Sequence, residues 1–357
     1  MSAEANPVVD LTVDSPAAAS PAAASPVPRA SSAEPAAAAL LPSINEAAIA
    51  AGETYSYYSP VPPRLAAPST TALGEECILG VDEAGRGPVL GPMVYGVFYL
   101  PTTLSDSLLR TTHHFDDSKV LSPSVRAGLM RTLANPASDL HAACGWAVTA
   151  LSARAISSGM LQGVPYNLNA QAMDATVALI AGVLARGVNL THVYVDTIGS
   201  PAVYQAKLQK LFPTVGITVA KKADSLYPVV SAASVCAKVT RDVALEVMYR
   251  PHATGAEGRT KDGELAMDWG SGYPGDGRCT GWLRDNMHPV FGWGPECRFS
   301  WGTAKDLIDG KTNSVKVEWP VEPDGNESRL TDFFKADAEE AKDELAVWYG
   351  EPSGLAF

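Results

Sequence analysis

The sequence predicts an α/β protein in which a mixed β-sheet is flanked by helices. Short apolar runs rich in Val, Ile and Tyr are typical of buried strands. Longer segments rich in Ala and Leu separate the later runs, and a Ser-Pro helix-start signal opens one of the helical segments. Because strands come first in a run and are then interleaved with helices, the sheet should combine antiparallel and parallel pairs.

The N-terminal segment lacks the composition of a folded domain. Residues 1–50 contain 17 Ala, 7 Pro and 7 Ser, and so few large apolar side chains cannot offset the entropy lost on ordering. We therefore predict a disordered Ala/Pro/Ser-rich tail over residues 1–76. With a single Arg and no apolar signal core, the first 50 residues have the pattern of neither a mitochondrial nor a secretory targeting segment.

The predicted folded core covers residues 77–307, and its elements follow from local patterns. The runs at 77–81 and 93–100 are close enough to pair as a hairpin of two strands. Ser122 and Pro123 are typical of the N-cap and first position of a helix that ends near residue 133. The remaining predicted elements are strands over 141–151, 191–196 and 216–220 and helices over 169–185, 202–212 and 229–248.

Two adjacent carboxylates and a turn of small residues follow the first strand, in the stretch GVDEAGRG. Side chains alternate between the two faces of a strand, so Asp82 and Glu83 should share a site only where the strand ends. Gly85 and Gly87 permit a tight turn and close approach of a ligand, and Arg86 offers a forked donor suited to phosphate. An exposed hairpin with incidental charges is the alternative interpretation of this motif alone.

Two further carboxylates stand in similar positions. Asp196 ends the strand VYVD, and Asp224 follows the strand GITVA by a few residues. Because ligands of α/β sheets gather at strand ends, these acids can converge with Asp82 and Glu83. Carboxylate oxygens favour Mg²⁺, and two such ions together can serve a phosphoryl displacement. Taken singly, Asp196 and Asp224 also fit helix caps or turn residues.

The segment around Asp224 adds basic and hydroxyl side chains. Along the helix predicted over 229–248, such side chains recur at spacings of three and four: Ser231, Ser234, Lys238 and Arg241. We predict that Lys222, Ser234 and Lys238 contact the phosphates of a substrate. A solvated helix face is the alternative, since Ala, Val and Cys occupy the other positions as a core face requires.

The net charge of −12 is unevenly distributed along the chain. Residues 1–76 carry 8 acids and 2 bases, and residues 304–357 carry 13 acids and 6 bases. The middle of the chain, residues 77–303, has 18 acids and 19 bases, so its remaining surface is basic if four acids bind metal. A core of this charge can still bind a phosphate backbone.

Seven motifs in unbroken order extend these observations over residues 77–307. They read GVDEAGRGPVLGPMVYG, DDSKVLS, YNLNAQAMDAT, VYVDTIGSPAVYQAKL, KKADSLYPVVSAASVCAKVTRD, GSGYPGDGRCTGWL and HPVFGWGPECRFSWGTA. The ordered set resembles the type 2 ribonucleases H, most closely the catalytic A subunit of the eukaryotic enzyme. This resemblance implies a ribonuclease H-like fold with a C-terminal helical extension.

The resemblance also implies a reaction. The family's four metal-binding acids match Asp82, Glu83, Asp196 and Asp224. They would hold two Mg²⁺ ions, for which Mn²⁺ can substitute. The implied reaction is hydrolysis on the 5′ side of a ribonucleotide in duplex DNA, or within the RNA strand of an RNA-DNA hybrid, leaving 3′-hydroxyl and 5′-phosphate ends. Its implied uses are removal of misincorporated ribonucleotides and of RNA primers.

Substrate recognition is implied by the same motifs. Gly85, Arg86 and Gly87 match a segment whose backbone contacts the ribose 2′-hydroxyl at an RNA-DNA junction. Tyr273 in GSGYP matches a tyrosine that packs on the neighbouring deoxyribose. Lys119 matches the lysine of a DSK motif near the substrate strand. A core tyrosine in a Gly-rich loop is the alternative interpretation of Tyr273.

Two segments depart from the family pattern. Residues 250–268 predict a polar surface loop inserted before the tyrosine motif. Residues 308–357 predict an acidic interaction tail, in which ESRLTDFF resembles a sliding-clamp-binding peptide. Its anchors would be Leu330, Phe333 and Phe334. An amphipathic helix that packs on a partner protein is the alternative, and the family implies two accessory subunits in a heterotrimer.

Other classes of protein find little support. No run approaches the ~18 apolar residues of a membrane span. The five cysteines form no CxxC pair, which argues against a zinc site and favours reduced thiols in the cytosol or nucleus; the family resemblance implies the nucleus. The sequence has no GxSxG motif of a serine hydrolase. A resolvase or transposase would also use clustered acids but would not need the Gly-Arg-Gly turn and the tyrosine, and a non-catalytic scaffold would lack an acid.

Overall fold

The structure is a computed structural model that describes residues 41–66, 74–115, 121–196, 199–253, 267–310 and 315. Its centre is a six-stranded sheet with the strand order β1-β4-β3-β2-β5-β6. The strands are β1 (Tyr55–Tyr58), β2 (Cys77–Ala84), β3 (Met93–Pro101), β4 (Gly145–Leu151), β5 (Leu190–Asp196) and β6 (Gly216–Ala220). The pairs among β1 to β4 are antiparallel, whereas β5 runs parallel to both β2 and β6. The predicted mixed sheet is confirmed.

The helices of the described residues are α1 (Glu46–Ala50), α2 (Pro123–Ala134), α3 (Asp139–Ala143), α4 (Ala153–Met160), α5 (Leu168–Leu184), α6 (Pro201–Leu211), α7 (Ala223–Leu226), α8 (Pro228–Tyr249), α9 (Gly277–Asp285) and α10 (Gly302–Asp309). The four predicted helices are present as α2, α5, α6 and α8, and the structure adds shorter helices that were not predicted. A further helical stretch over 102–112 follows β3. Ser122 caps α2 by accepting a hydrogen bond from the Val125 N–H at 3.3 Å. No helix within the described ranges is long and apolar enough to cross a membrane.

The sheet has a helical layer on each face. On one face, α5 packs on β3 and β4, and its apolar side chains share a core cluster with strand residues such as Leu79 and Val193. On the other face, α8 lies directly on β2 and β3, because these strands carry glycine at the contact. A Cβ on Gly80 would lie 2.3 Å from the Val229 carbonyl oxygen, a distance that no packed atoms adopt. The small residues therefore allow backbone to approach backbone at the centre of the molecule.

The prediction of a disordered tail over residues 1–76 is wrong for the stretch 41–66. β1 extends the sheet by pairing with β4, and Tyr57 packs on Trp146 with ring centroids 5.0 Å apart. α1 packs on α8. A four-residue strand is too short for the alternation of side chains to reveal it in the sequence. Residues 1–40 and 67–73 of the predicted tail lie outside the described residues.

The third predicted strand, over 141–151, is shorter in the structure. β4 begins at Gly145, and the preceding residues form α3. Ser138 caps this helix by accepting a hydrogen bond from the His141 N–H at 3.0 Å. The polar Ser-Asp start therefore converts the first residues of the predicted strand into helix.

The C-terminal part of the described chain forms a third apolar cluster. α9 and α10 pack with the end of α8 around Trp269, Trp282 and Leu283. This arrangement agrees with the C-terminal helical extension that the family resemblance implies. Residues 254–266 of the predicted surface loop lie outside the described residues, as does the predicted interaction tail except for 308–310 and 315.

All five cysteines are buried with free thiols. Burial raises the pKa of the Cys77 thiol to about 12 and that of the Cys279 thiol to about 11. Burial likewise raises the pKa values of the other three thiols, those of Cys144, Cys236 and Cys297. The thiols are therefore protonated and inert at neutral pH, and they fill core space.

Candidate active site

The sheet register brings the acids of the two central strands together. Because Val81 of β2 lies opposite Val195 of the parallel β5, the next residues, Asp82 and Asp196, lie side by side at the same end of both strands. β2 continues to pair with β3 as far as Ala84, so Asp82 lies inside a strand rather than after its end. Pairing of β2 with β5 stops at Val81. The acids therefore lie where this parallel pair ends, although β2 itself continues.

Hydrogen bonds connect the acids to the neighbouring elements. The Asp82 carboxylate accepts hydrogen bonds from the Glu83 N–H at 2.7 Å and from the Ser234 hydroxyl of α8. The Asp196 carboxylate accepts one from the Ala223 N–H at 3.0 Å. Ala223 begins α7, whose second residue is the buried Asp224. The four predicted acids are thus brought to one end of β2, β5 and β6.

The charges of these acids oppose one another. Burial is the largest cause that raises the pKa of the Asp82 carboxyl; the Ser234 hydrogen bond lowers it, and the Asp196 and Asp224 charges raise it. Burial, followed by the charge of Asp82, raises the pKa of the Glu83 carboxyl, and Arg86 opposes this shift. Clustered buried carboxylates with raised pKa values are the environment that a bound cation relieves.

The carboxylate oxygens of the four acids suit a hard divalent cation such as Mg²⁺. Carboxylate oxygens are the ligands that Mg²⁺ prefers, and this ion keeps several of its waters. The described residues contain no group of three or more His, Cys, Asp and Glu side chains already placed to hold an ion together. The oxygen ligands of these acids suit a divalent cation that keeps part of its hydration shell.

Two open cavities meet at one of the acids, Glu83. The first, of about 490 Å³, is lined by Glu83, Asp196 and the first turns of α5 and α6. The second, of about 690 Å³, runs from Glu83 past the Gly85-Arg86-Gly87 turn to Tyr273. Glu83 and Arg86 line both. We call the second cavity the substrate groove.

The turn after β2 has the conformation that its glycines predict. Gly85 has φ +79°, and a Cβ on it would lie 2.1 Å from the Arg241 Nε atom. The carbonyl oxygens of the turn accept hydrogen bonds from the C-terminal segment. Arg298 donates to the Gly85 oxygen at 2.6 Å and to the Arg86 oxygen at 3.0 Å, and Trp301 donates to the Gly87 oxygen at 2.9 Å.

Tyr273 lies beside Gly87, and both line the substrate groove. A Cβ on Gly87 would lie 3.2 Å from the Tyr273 Cε1 atom. The Tyr273 ring is 45% exposed, so the alternative of a core tyrosine is wrong. An exposed ring beside an exposed backbone turn is available to contact a ligand.

Arg86 extends from the turn towards the first cavity. Its guanidinium donates a hydrogen bond to the Asn169 side chain at the start of α5. It also interacts with the Tyr95 hydroxyl, which stands next to Glu83. Asn169 was not predicted, although it lies within the motif YNLNAQAMDAT, and the position of the motif in the ordered set is the signal that could have identified it.

The predicted phosphate contacts occupy different environments. Lys222 is exposed just before α7, with a left-handed backbone at φ 57°. Lys238 is half-buried and lines the substrate groove. Ser234 is fully buried and donates to Asp82, so its geometry supports the acid and does not offer a direct substrate contact. Lys119 lies outside the described residues.

The polar stripe of α8 is not a solvated face. Ser231, Ser234 and Arg241 are all buried, so the alternative of a solvent-facing stripe is wrong for these three residues. The spacing correctly placed the residues on one side of the helix, but that side faces the acids and the turn. Arg298 and Trp301 were not predicted as site residues although both lie in the motif HPVFGWGPECRFSWGTA, because only the folded chain brings them to a turn more than 200 positions away.

Comparison with known proteins identifies the family of this chain. A model of the ribonuclease HII family matches residues 79–304. The chain is 56% identical over 319 residues to the A subunit of ribonuclease H2 from Neurospora crassa, covering 88% of this chain and 95% of that relative. It is 41% identical over 298 residues to the A subunit of ribonuclease H2 from Homo sapiens, covering 82% of this chain and 93% of that relative.

Solved structures share the fold. The crystal structure of ribonuclease H2 from Pyrococcus horikoshii OT3 matches with a TM-score of 0.52 and 29% identity, covering 65% of this chain and 96% of that chain. A structure of the PCNA:RNase HII complex from Archaeoglobus fulgidus matches with a TM-score of 0.52 at 24% identity, which supports the fold alone. The ribonuclease H-like fold and the family resemblance are confirmed. The chain belongs to the ribonuclease HII family and is a ribonuclease H, a hydrolase that acts as an endonuclease.

Proposed function

We propose that this enzyme cleaves the phosphodiester bond on the 5′ side of a ribonucleotide, both in duplex DNA and in RNA-DNA hybrids, leaving 3′-hydroxyl and 5′-phosphate ends. One observation carries the proposal: the glycine turn, the exposed Tyr273 ring and the acid Glu83 line a single groove. A 2′-hydroxyl distinguishes RNA from DNA, and a backbone without Cβ atoms can approach it closely. The removal of misincorporated ribonucleotides and of RNA primers, in the nucleus, is part of this proposal.

The acids would hold the metal ions. We assign two Mg²⁺ ions, replaceable by Mn²⁺, to Asp82, Glu83, Asp196 and Asp224, on the basis of their convergence and of the raised pKa values of Asp82 and Glu83. When bound, two such ions stabilise the attacking and leaving oxygens of an in-line displacement by water. Ser234 holds Asp82 in place, and the Ala223 N–H does the same for Asp196.

The groove residues would orient the substrate strand. The turn at Gly85-Arg86-Gly87 approaches the ribose, and Tyr273 packs on the sugar that comes after it. Lys238 lies along the same groove and Lys222 near the acids, where their charges suit phosphates of the backbone. The ring of Tyr273 favours a sugar without a 2′-hydroxyl. The turn and Tyr273 together therefore select a ribonucleotide followed by a deoxyribonucleotide.

Assembly with other proteins belongs to the proposal. The relatives from Neurospora crassa and Homo sapiens are named as subunits, which supports a complex of this chain with other subunits, and we propose two accessory subunits. The peptide with Leu330, Phe333 and Phe334 is proposed as a contact for a sliding clamp, and it lies outside the described residues. Pull-down of accessory subunits and of a sliding clamp with the full chain and with a chain truncated after residue 310 would test both contacts.

The direct experiment compares two labelled duplexes of the same sequence. One carries a single embedded ribonucleotide and the other is a continuous RNA-DNA hybrid, each incubated with Mg²⁺ and with accessory subunits present. We expect cleavage of both and, on the first, a single cut on the 5′ side of the ribonucleotide. Failure to cleave either duplex, or a cut on the 3′ side, would contradict the proposal.

Replacing Tyr273 by Ala should selectively impair cleavage at the single ribonucleotide. The lost contact is worth about 1 to 3 kcal/mol by analogy with aromatic stacking on bases, which corresponds to a decrease in kcat/KM of about 5- to 150-fold. Continuous hybrids should be affected less, because a following ribose fits the ring poorly. The measurement is the ratio of kcat/KM for the two duplexes at fixed salt and Mg²⁺.

Two control variants define this test. Tyr273→Phe keeps the ring and should keep the ratio of the wild type. Phe291→Ala removes another exposed aromatic ring, which lines neither cavity, and should leave both rates unchanged. An equal proportional decrease on both duplexes for Tyr273→Ala would assign the tyrosine a structural role.

Magnesium should stabilise the protein more at pH 8 than at pH 6. The raised pKa values of Asp82 and Glu83 mean that the folded state binds protons more tightly than the unfolded state, whose carboxyl pKa values are about 4. Without metal, these groups therefore reduce stability as pH rises from about 5 to about 8. Mg²⁺ binds the deprotonated acids and should offset that loss.

The measurement is Tm at both pH values, with EDTA and with Mg²⁺. Glu83→Gln removes one of the raised groups and should reduce both the pH dependence in EDTA and the difference in the Mg²⁺ effect. An effect of Mg²⁺ on Tm that is equal at pH 6 and pH 8 in the wild type would count against the assigned ligands.

A further inference from the structure

One C-terminal segment binds every carbonyl oxygen of the turn. Arg298 contacts the oxygens of Gly85 and Arg86 with its two terminal nitrogens, and its Nε donates to the Gly91 oxygen at 2.9 Å. The Trp301 indole N–H donates to the Gly87 oxygen. Two side chains three positions apart thus hold the backbone of the turn from one side.

The hydrogen bonds to these carbonyl oxygens also fix the direction of the N–H groups in the same peptide units. In a trans peptide unit the carbonyl oxygen and the following N–H point in opposite directions. Holding the oxygens of Gly85 and Arg86 on the side of Arg298 therefore directs the N–H groups of Arg86 and Gly87 away from it. Neither N–H donates to any other residue that the structure describes, so both are available to a ligand in the substrate groove.

The burial of Arg298 supports a role beyond stability. The side chain is 0% exposed, and it forms no salt bridge with a described carboxylate. Burial, and then the neighbouring Arg241 charge, lowers its pKa to about 9. Burying a charged group without a counter-ion costs desolvation free energy, so an apolar side chain would fill this space more favourably. The planar guanidinium of Arg, however, can donate to several carbonyl oxygens at once.

Trp301 completes this arrangement. Its indole ring lies 4.8 Å from the Arg298 guanidinium carbon, so the two side chains stack and restrict each other. The segment that carries them packs between the turn and the C-terminal cluster. A shift of Arg298 would rotate the two peptide units whose N–H groups face the groove. Trp301 acts on them indirectly, because it stacks on Arg298 and anchors the Gly87 oxygen, whose peptide unit ends at Pro88 and has no N–H.

We propose that Arg298 and Trp301 are positioning residues that fix the outward direction of the Arg86 and Gly87 amides and thereby set the preference for a ribonucleotide. This inference rests on the proposed function of the turn. It predicts that loss of either side chain weakens recognition of the 2′-hydroxyl more than it weakens contact with duplex in general.

The test measures binding of two duplexes of one sequence, with EDTA present so that no cleavage occurs. One duplex contains a single ribonucleotide and the other is all DNA, and the ratio of their Kd values gives the preference. Trp301→Phe keeps the ring but removes the donor, and should lower the preference by about 2- to 10-fold, as expected for one hydrogen bond. Binding of the all-DNA duplex should not change.

Two other variants complete the experiment. Arg298→Lys keeps the charge but not the planar fork, and should lower the preference at least as much as Trp301→Phe does. Trp293→Phe is the matched control. The Trp293 indole donates a hydrogen bond of 2.8 Å to the Leu283 oxygen, which is not part of the turn. This variant should keep the preference of the wild type.

The outcomes separate this inference from the proposed function. An unchanged preference in Trp301→Phe, or an equal loss of affinity for both duplexes, would overturn the positioning role even if Arg298→Lys fails to fold. A wild type that neither prefers the ribonucleotide duplex nor cleaves it would instead overturn the proposed function. A reduced preference with unchanged all-DNA binding supports the inference.

Discussion

Replacing Asp82 by Asn is expected to reduce turnover by at least about 100-fold. Loss of a residue that only supports a metal ligand reduces activity by up to about 100-fold, and loss of a ligand itself should reduce it at least as much. Asp82 stands nearest the centre of the cluster, since it interacts with Glu83, Asp196, Asp224 and Ser234. Asn has the same shape but cannot carry the negative charge that attracts a divalent ion. Binding of duplex DNA should be largely retained.

The same substitution should not destabilise the protein. Removing a buried carboxylate from a group of like charges relieves repulsion, so the Tm without metal should stay equal or rise at pH 8. Inactivity together with unchanged or increased stability would distinguish a site residue from a structural one. Asp309→Asn, an exposed acid at the end of α10, is the control and should keep the wild-type rate. Near-normal turnover of Asp82→Asn in Mg²⁺ would show that the site is misassigned.

Replacing Gly80 by Val should prevent accumulation of folded protein or destabilise it by about 3 kcal/mol or more, the upper range for overpacked cores. The new Cβ would meet the Val229 carbonyl carbon at 2.4 Å and the Val230 nitrogen at 2.6 Å. These are backbone atoms in the first turn of α8, and they cannot move without displacing the helix from the sheet. Since α8 also carries Ser234 and Lys238, activity should fall with stability.

The measurement is unfolding in guanidinium chloride followed by circular dichroism. Gly128→Ala in α2 is the control, because a Cβ there meets nothing within 4 Å. This substitution should raise stability by about 0.5 to 1 kcal/mol through a smaller loss of backbone entropy on folding. If Gly80→Val unfolded at the same concentration as the wild type, the close contact between β2 and α8 would be refuted.

The positions of the acids could be predicted from the sequence because they depend on local order. Strand patterns ending near Asp82 and Asp196 lead to the edge at which parallel strands meet, and the register of β2 and β5 agrees with that expectation. The spacing of Ser231, Ser234 and Arg241 likewise identified one side of α8. Periodicity does not state whether that side faces water or a buried functional group, so the burial of all three was not foreseen.

Other features depend on contacts between distant parts of the chain. Arg298 and Trp301 lie in a segment with no phosphate-binding or catalytic pattern of its own, and their role follows from distances to a turn on the other side of the sequence. β1 was missed because it is four residues long and follows an Ala-rich segment. Its stability comes from pairing with β4, which the local sequence does not encode.

The burial of all five native thiols makes the protein suitable for site-specific fluorescent labelling. Maleimide dyes react with accessible thiolates, so a single introduced cysteine would take up the dye while the native ones remain protonated in the interior. Ser124, exposed at the mouth of the substrate groove, is a suitable position. A dye attached to Ser124→Cys would report the arrival and departure of a duplex in real time, without removal of any cysteine that fills the core.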